Sequence, residues 1–161
     1  MNSRTFVRRL AGVVVFVAAA VSLAWMSCPA LGAQPKTKGR ILLVTGVDYP
    51  GHPWRETAPL LSKLIQQDSR LTVVTVEDPH LLDSAAVRSY DAVVLHFMNW
   101  EVKAPGEAAR QNLRRFVEDG GGLVLVHFAC GAWQDWPEFR NLAGRVWDPK
   151  LRGHDPRGVF K

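Results

Sequence analysis

The sequence predicts an α/β fold built on a doubly wound parallel sheet, and three observations carry that prediction. The apolar runs past residue 39 are short and nearly continuous: Ile41-Leu42-Leu43-Val44, Leu71 to Val76, Ala92 to Leu95 and Leu123 to Val126. Runs of this length without polar alternation suit strands covered on both faces. Between them lie stretches with helical rather than strand spacing. Strand alternating with helix implies right-handed crossovers, which place helices on both faces of one sheet, a three-layer arrangement.

Taken in order, residues 1–33 come first. Arg4, Arg8 and Arg9 precede an apolar run from Leu10 to Trp25, and small residues follow at Ala30-Leu31-Gly32-Ala33. Basic residues, a short apolar core and a small-x-small end describe a secretory signal peptide cut before Ala33. The apolar run is shorter than the ~20 residues a membrane span needs. Export to the periplasm or the outside of the cell is therefore expected, with no membrane association after cleavage.

The same segment explains much of the charge. The formal charge is +5, but residues 1–33 hold three arginines and no acid, and their removal leaves 17 basic and 15 acidic groups. That balance gives no reason to expect nucleic-acid binding. Of the two cysteines only Cys130 lies past the cleavage point, so the exported domain is held by its core and not by a disulfide. With 161 residues in total, one domain is the upper bound.

Residues 34–39 (Gln34-Pro35-Lys36-Thr37-Lys38-Gly39) read as a polar linker, and the domain runs over 40–161. Strands are expected at 40–46, 71–77, 91–97 and 123–128. A first helix over 54–67 would carry Leu60, Leu61, Leu64 and Ile65 on one face. A shorter one is expected around 82–89. A helix over 106–119 would bury Ala109, Leu113, Phe116 and Val117, with Arg110, Arg114, Arg115 and Glu118 outside. Gly120-Gly121-Gly122 stops it. A short helix over 136–142 follows the fourth strand, and Gly158-Val159-Phe160-Lys161 looks like the start of another strand.

In an open parallel sheet, ligands bind outside the carboxyl ends of the strands, near the point where strand order reverses. The residues just after each strand are therefore the ones to read for chemistry. Strand one is followed by Asp48, His52 and Trp54; strand three ends in His96 with Trp100 and Glu101 beyond it; strand four ends in His127, Cys130 and Trp133; and a late loop carries His154, Asp155 and Arg157. His52, His96 and His127 should approach one edge of the sheet, whereas His80 belongs to an exposed turn. An imidazole serves there as general acid, general base or hydrogen-bonding group. His127 is the candidate acid–base residue, with Asp48 or Glu101 as its carboxylate partner. His52, Trp54, His96, Trp133, His154, Asp155 and Arg157 are candidate substrate-binding residues, because ring faces pack on sugar C–H faces while polar groups take hydroxyls. The bland alternative is that the tryptophans cap the sheet ends.

Other chemistries fare less well. No HExxH or paired CxxC spacing is present, so no metal site is expected. Pro50 and Pro53 remove backbone donors that a phosphate-binding loop needs. Cys130 lies just past a strand, where a nucleophile elbow would place a reactive thiol beside His127. The competing reading is a small side chain in a tight turn.

Together these pieces resemble the ThuA-like family, named for trehalose utilization. The likeness rests on Val44-Thr45-Gly46 with His52-Pro53-Trp54, Tyr90-Asp91-Ala92-Val93-Val94-Leu95, and Phe116 to Val124 running into His127-Phe128-Ala129-Cys130-Gly131-Ala132-Trp133. Trp136-Pro137-Glu138-Phe139 and Gly153-His154-Asp155-Pro156-Arg157-Gly158 complete it. The resemblance implies a flavodoxin-like domain of the class I glutamine amidotransferase-like superfamily, acting on or binding a small carbohydrate of the disaccharide or keto-sugar class. Set against the amidotransferase pattern G-x-C-x-G, Ala129 falls on the nucleophile position and Cys130 one residue late, so amidotransferase activity is not expected. A non-catalytic binding or scaffold module with a degenerate site is the first alternative, and a thiol-dependent hydrolase using Cys130 and His127 the second. Family domains continue past the His-Asp-Pro-Arg-Gly motif, so a C-terminally truncated domain is expected here.

Overall fold

The computed structural model describes residues 38–148 and 150. The expected signal peptide, most of the linker, the strand at 158–161, and His154, Asp155 and Arg157 lie outside the described residues.

Four strands form one parallel sheet: β1 (Gly39–Val44), β2 (Leu71–Val76), β3 (Ala92–Leu95) and β4 (Gly122–Leu125), in the order β2-β1-β3-β4. β1 therefore sends its neighbours to opposite sides, and strand order reverses between β1 and β3, as in flavodoxin-like sheets. The register pairs Val44 with Val76 and Leu95, and Leu95 with Leu125. All four strands thus end at the same level, which aligns the loops that follow them. β1 opens on Gly39, the last residue of the expected linker.

Alternation along the strands divides the core into two layers. On one face Leu42, Val44, Val93, Leu95 and Phe97 pack with Leu82, Val87, Ala109, Leu113 and Phe116. On the other face Leu43 and Val94 pack with Ala58, flanked by Leu61 and Ile65. The first helix, α1 (Trp54–Ile65), covers this second face and buries Trp54 and Ala58. Leu60 and Leu64, expected with the buried set, are 56% and 50% exposed. They lie one step round the helix from Leu61 and Ile65, beyond the stripe that the sheet covers. Val124 of β4, opposite Val94 on the same sheet face, is also 49% exposed.

The second helix, α2 (Glu107–Glu118), buries Ala109, Leu113 and Phe116 as the periodicity required. Arg110, expected outside, instead pairs with Asp135 and lies over the Trp136 ring at 5.9 Å. Helical spacing places Arg110 next to Leu113, and the long side chain follows that edge to a partner. In place of one helix over 82–89 there are two 3₁₀ turns, Pro79–Asp83 and Ala85–Ser89. The reason is capping. Asp78 accepts from the His80 N–H, and Ser84 accepts from the Ala86 N–H, so the chain restarts its turn at each cap. Asp83 in turn accepts from the Ala109 N–H at 3.1 Å and so caps α2. His80 sits in this exposed turn, paired with Asp83 at 3.0 Å. A last short helix, α3 (Phe139–Ala143), buries Phe139.

Candidate functional site

Each strand hands its chain to the edge through a constrained residue. Past β1, Thr45 is fully buried and Gly46 adopts φ +108°. Past β3, His96 is only 5% exposed and its N–H donates to the Val44 carbonyl. Past β4, Val126 leads into a 3₁₀ turn over His127–Gly131, and His127 itself has φ 49°. A non-glycine residue in the left-handed region stores about 1–3 kcal/mol and persists only where its surroundings hold it. Here the strained residue of the strand-to-turn elbow is His127, not Ala129 or Cys130.

What holds the turn is visible. The Trp100 indole N–H donates to the Gly131 carbonyl at 2.7 Å, and the Trp147 N–H donates to the Cys130 carbonyl at 3.0 Å. A Cβ at position 131 would lie 3.0 Å from the Trp100 ring, so any larger residue would make that ring give by a few tenths of an ångström. Asn99 Oδ1 accepts from the backbone N–H of Trp133, itself at φ 46°. The loop after β3 thus clamps the far end of the turn after β4, at Gly131 and Trp133.

The three imidazoles expected to converge do so. His52 and His127 stack with ring centroids 5.1 Å apart, and the Phe128 ring lies 4.1 Å from His52 and 5.8 Å from both His96 and His127. His52 Nδ1 lies 3.1 Å from the Pro50 carbonyl, which can only accept. That contact puts the proton on Nδ1 and leaves Nε2 to the site. Tyr49 packs at 5.5 Å from His52 and edge-on to Trp100 at 5.8 Å, so an aromatic strip leads outward from the imidazoles.

His96 is held differently. Thr45 Oγ1 lies 3.2 Å from its Nδ1, and Thr57 Oγ1 of α1 lies 3.3 Å from its Nε2. A hydroxyl can donate or accept, so two threonines satisfy a buried neutral ring without fixing its tautomer in advance. Burial lowers the His96 pKa, and the nearby charges of His52 and His127 lower it further. Since the folded value lies below the unfolded one of about 6.5, the unfolded chain takes up the proton first as pH falls. The stability held by neutral His96 is present above about pH 6.5 and is lost as pH drops through that window. Urea midpoints measured from pH 8 to pH 5 should therefore fall below about pH 6.5, and His96→Gln should flatten that slope.

Other candidates stand apart from this cluster. Asp48 accepts from the Trp54 indole N–H at 2.8 Å and is ion-paired with Arg55, whose guanidinium lies 4.3 Å above the Trp54 ring. Hydrogen bonds from Arg55 first and Trp54 second hold the Asp48 carboxyl below its ordinary pKa. The expected Asp48–imidazole pair is thus replaced by a brace at the start of α1. Glu101 is exposed on the loop beyond Trp100. Trp54, the first residue of α1, is buried and lines the hollow between that helix and β2.

Trp133, expected as a substrate contact, is 1% exposed and packs against Phe97, Trp136 and Phe139. Its indole N–H donates to the Pro105 carbonyl at 3.1 Å. It is a core residue, with no face free for a ligand. Trp133→Ala should cost about 3–5 kcal/mol in denaturant unfolding. Trp100, at 45% exposure, is the tryptophan that presents a ring at this edge.

Thr45, Thr57, Tyr49 and Phe128 complete the cluster and were not singled out from the sequence. Three of them adjoin recognised positions at strand ends. Thr57 reaches His96 from inside α1, where only a correctly placed helix could reveal it. Cys130 is free and half-buried in the 3₁₀ turn, while the His127 ring stacks on His52. Among the described residues no group of three or more His, Cys, Asp or Glu side chains is arranged to hold a metal ion. A hollow of about 770 Å³ lies elsewhere, between α1 and β2, lined by Arg55, Ser62, Gln66, Thr75 and Glu77 among others.

A sequence model of the family described as "ThuA: Trehalose utilisation" matches residues 40–158. Two solved structures are similar. A ThuA-like protein from Parabacteroides merdae ATCC 43184 shares 25% identity at a TM-score of 0.54, over 65% of this chain and 37% of its own. A ThuA-like protein from Bacteroides uniformis ATCC 8492 shares 18% identity at 0.51, over 71% of this chain and 46% of its own; this second likeness is one of fold. The chain spans less than half the length of these solved relatives. No curated protein matches it. A family match running from β1 through the elbow and beyond, on a parallel sheet of order β2-β1-β3-β4, makes this chain a member of the ThuA, or trehalose utilisation, family.

Proposed function

We propose that the domain binds or acts on a small carbohydrate of the disaccharide or keto-sugar class at the carboxyl ends of β1, β3 and β4. The observation that supports this most is His127, held at φ 49° on the elbow with its ring 5.1 Å from that of His52. Backbone strain concentrates where function needs a side chain aimed, and here it sits at the reversal of strand order. In an enzymatic reading His127 moves the proton, His52 Nε2 takes a hydroxyl, and the Trp100 and Tyr49 rings offer apolar faces to the sugar. Family membership, with its trehalose-utilisation description, agrees with this substrate class.

A non-catalytic binding module is the second reading, and a specific observation favours it. Among the described residues the one carboxylate paired with an imidazole is Asp83, on His80, away from this edge. Among the described residues, therefore, His127 has no orienting acid of the kind a strong general base uses. The thiol-dependent reading draws less support, since the residue aimed by the elbow is His127. Export to the periplasm or beyond remains part of the proposal, on the basic and apolar pattern of residues 1–33.

A thermal-shift series with trehalose, maltose and glucose tests the reading. At least one should raise the melting temperature of the wild-type protein, and His127→Asn should remove the shift. If no sugar shifts the wild type, the carbohydrate reading fails. A shift that persists in His127→Asn without turnover by the wild type would favour the binding module.

A further inference from the structure

We infer that the ligand of this edge carries an anionic group, a carboxylate or a phosphate, which the stacked His52–His127 pair takes in its protonated form. The inference deepens the proposed carbohydrate reading and rests on that reading's placement of the site. Two imidazoles with centroids 5.1 Å apart, beside a buried third ring held neutral, make a site where two cations would repel unless an anion lay between them. Such a cluster is normally relieved by a carboxylate of the protein. Of the two acids four residues from His52, Asp48 is ion-paired with Arg55 and hydrogen-bonded by Trp54, and Glu56 is exposed on α1.

Among the described residues, the other charged or titratable groups on the surrounding elements do not supply the missing charge. Tyr49 comes from the loop after β1 and Cys130 from the turn after β4. The loop after β3 contributes Glu101 and Lys103, both exposed beyond Trp100 and opposite in sign. His96, from β3 itself, is engaged by Thr45 and Thr57. Among the described residues none supplies the counter-charge, and we assign it to the ligand.

The local geometry fits that role. The Pro50 carbonyl already takes the Nδ1 proton of His52, so protonation adds a donor at Nε2, directed away from that carbonyl. His127 is the exposed member of the pair and is held by the strained backbone of the elbow. Charge-assisted hydrogen bonds from two imidazolium groups to one anion are stronger than neutral ones. Binding then takes up protons and tightens as pH falls through the range where imidazoles charge. A neutral sugar gains much less from that change.

The experiment is calorimetric titration of the full chain with glucose, glucuronate, glucose 6-phosphate and inorganic phosphate, each at pH 6 and pH 8. We expect at least one acidic sugar to bind about tenfold more tightly at pH 6 than at pH 8, and more tightly than glucose at pH 6. Comparing glucuronate with glucose 6-phosphate tells carboxylate from phosphate. The double variant His52→Gln, His127→Asn should abolish the preference; asparagine tolerates the left-handed backbone at position 127, so the elbow is kept. Equal affinity for glucose and its acids would overturn the inference while leaving the carbohydrate reading intact. So would an acid preference that survives the double substitution. Inorganic phosphate binding as tightly as the sugar acids would keep the anion site and sink the carbohydrate reading. Absence of binding by all four would overturn the inference, and the carbohydrate reading falls with it only if trehalose and maltose also leave the melting temperature unchanged.

Discussion

Gly46→Ala is expected to cost about 3 kcal/mol or more, a large part of the stability of a domain this size. A Cβ at position 46 would lie 1.8 Å from the Glu77 carbonyl oxygen, and the backbone there has φ +108°. Neither problem has a rotamer solution, because the obstacle is backbone. Either the β1 loop or the end of β2 must move, and both carry the site: Thr45 precedes Gly46, and its N–H donates to the Val76 carbonyl at 2.9 Å. Gly51→Ala is the control. It also has positive φ, at +78°, but nothing lies within 4 Å of its would-be Cβ, so the cost should stay near ~1 kcal/mol. Urea unfolding of the two variants side by side separates steric exclusion from backbone preference.

The second large effect concerns His127, where stability and function should part. His127→Gly relieves the left-handed strain and should leave the protein as stable as the wild type, or raise stability by about 1 kcal/mol. His127→Val should lower it, because a β-branched residue is poorly accommodated at φ 49°. Both substitutions remove the imidazole. If the domain turns over a sugar, both should lose about 10²–10⁴ in rate, the range for one acid–base group. A glycine variant that is stable yet inactive would show that the strain serves the side chain. A glycine variant that unfolds would place His127 among the packing residues instead.

The framework of this fold was readable because its signals are repetitive. Four continuous apolar runs gave four parallel strands, each boundary within three residues of the expected one. Only the central β1 and β3 are buried; the edge strands β2 and β4, expected to be covered on both faces, keep exposed positions. Ala109, Leu113 and Phe116 identified the inner face of α2 from spacing alone. Leu60 and Leu64 misled because periodicity finds an apolar face without saying how wide a sheet will cover it. The segment at 82–89 misled because Asp78 and Ser84 are local caps that interrupt a helix, and their effect depends on short-range hydrogen bonds rather than on hydrophobic spacing.

The site was readable in part, for a related reason. Topology brings strand ends together, so His52, His96 and His127 could be expected as neighbours before any coordinates. Partner choice is not set by topology. Asp48 lies only four residues from His52 in sequence, yet Arg55 and Trp54 claim it, because the start of α1 presents them seven and six residues further on. Trp133 follows a strand end like the other candidates, but the turn carries it inward to Phe97 and Phe139. The role of Trp100 in fixing Gly131 depends on two loops far apart in sequence, which no local pattern records.

The proposed ligand site is the edge between β1 and β3, and not the hollow beside α1. Backbone amide shifts followed by NMR during titration with the sugar that stabilises the protein most would test this directly. For a ligand at the proposed site, the largest shifts are expected on Gly46, His52, His96, His127 and Phe128. Shifts confined to Ser62, Gln66, Thr75 and Glu77, around the α1–β2 hollow, would contradict that placement.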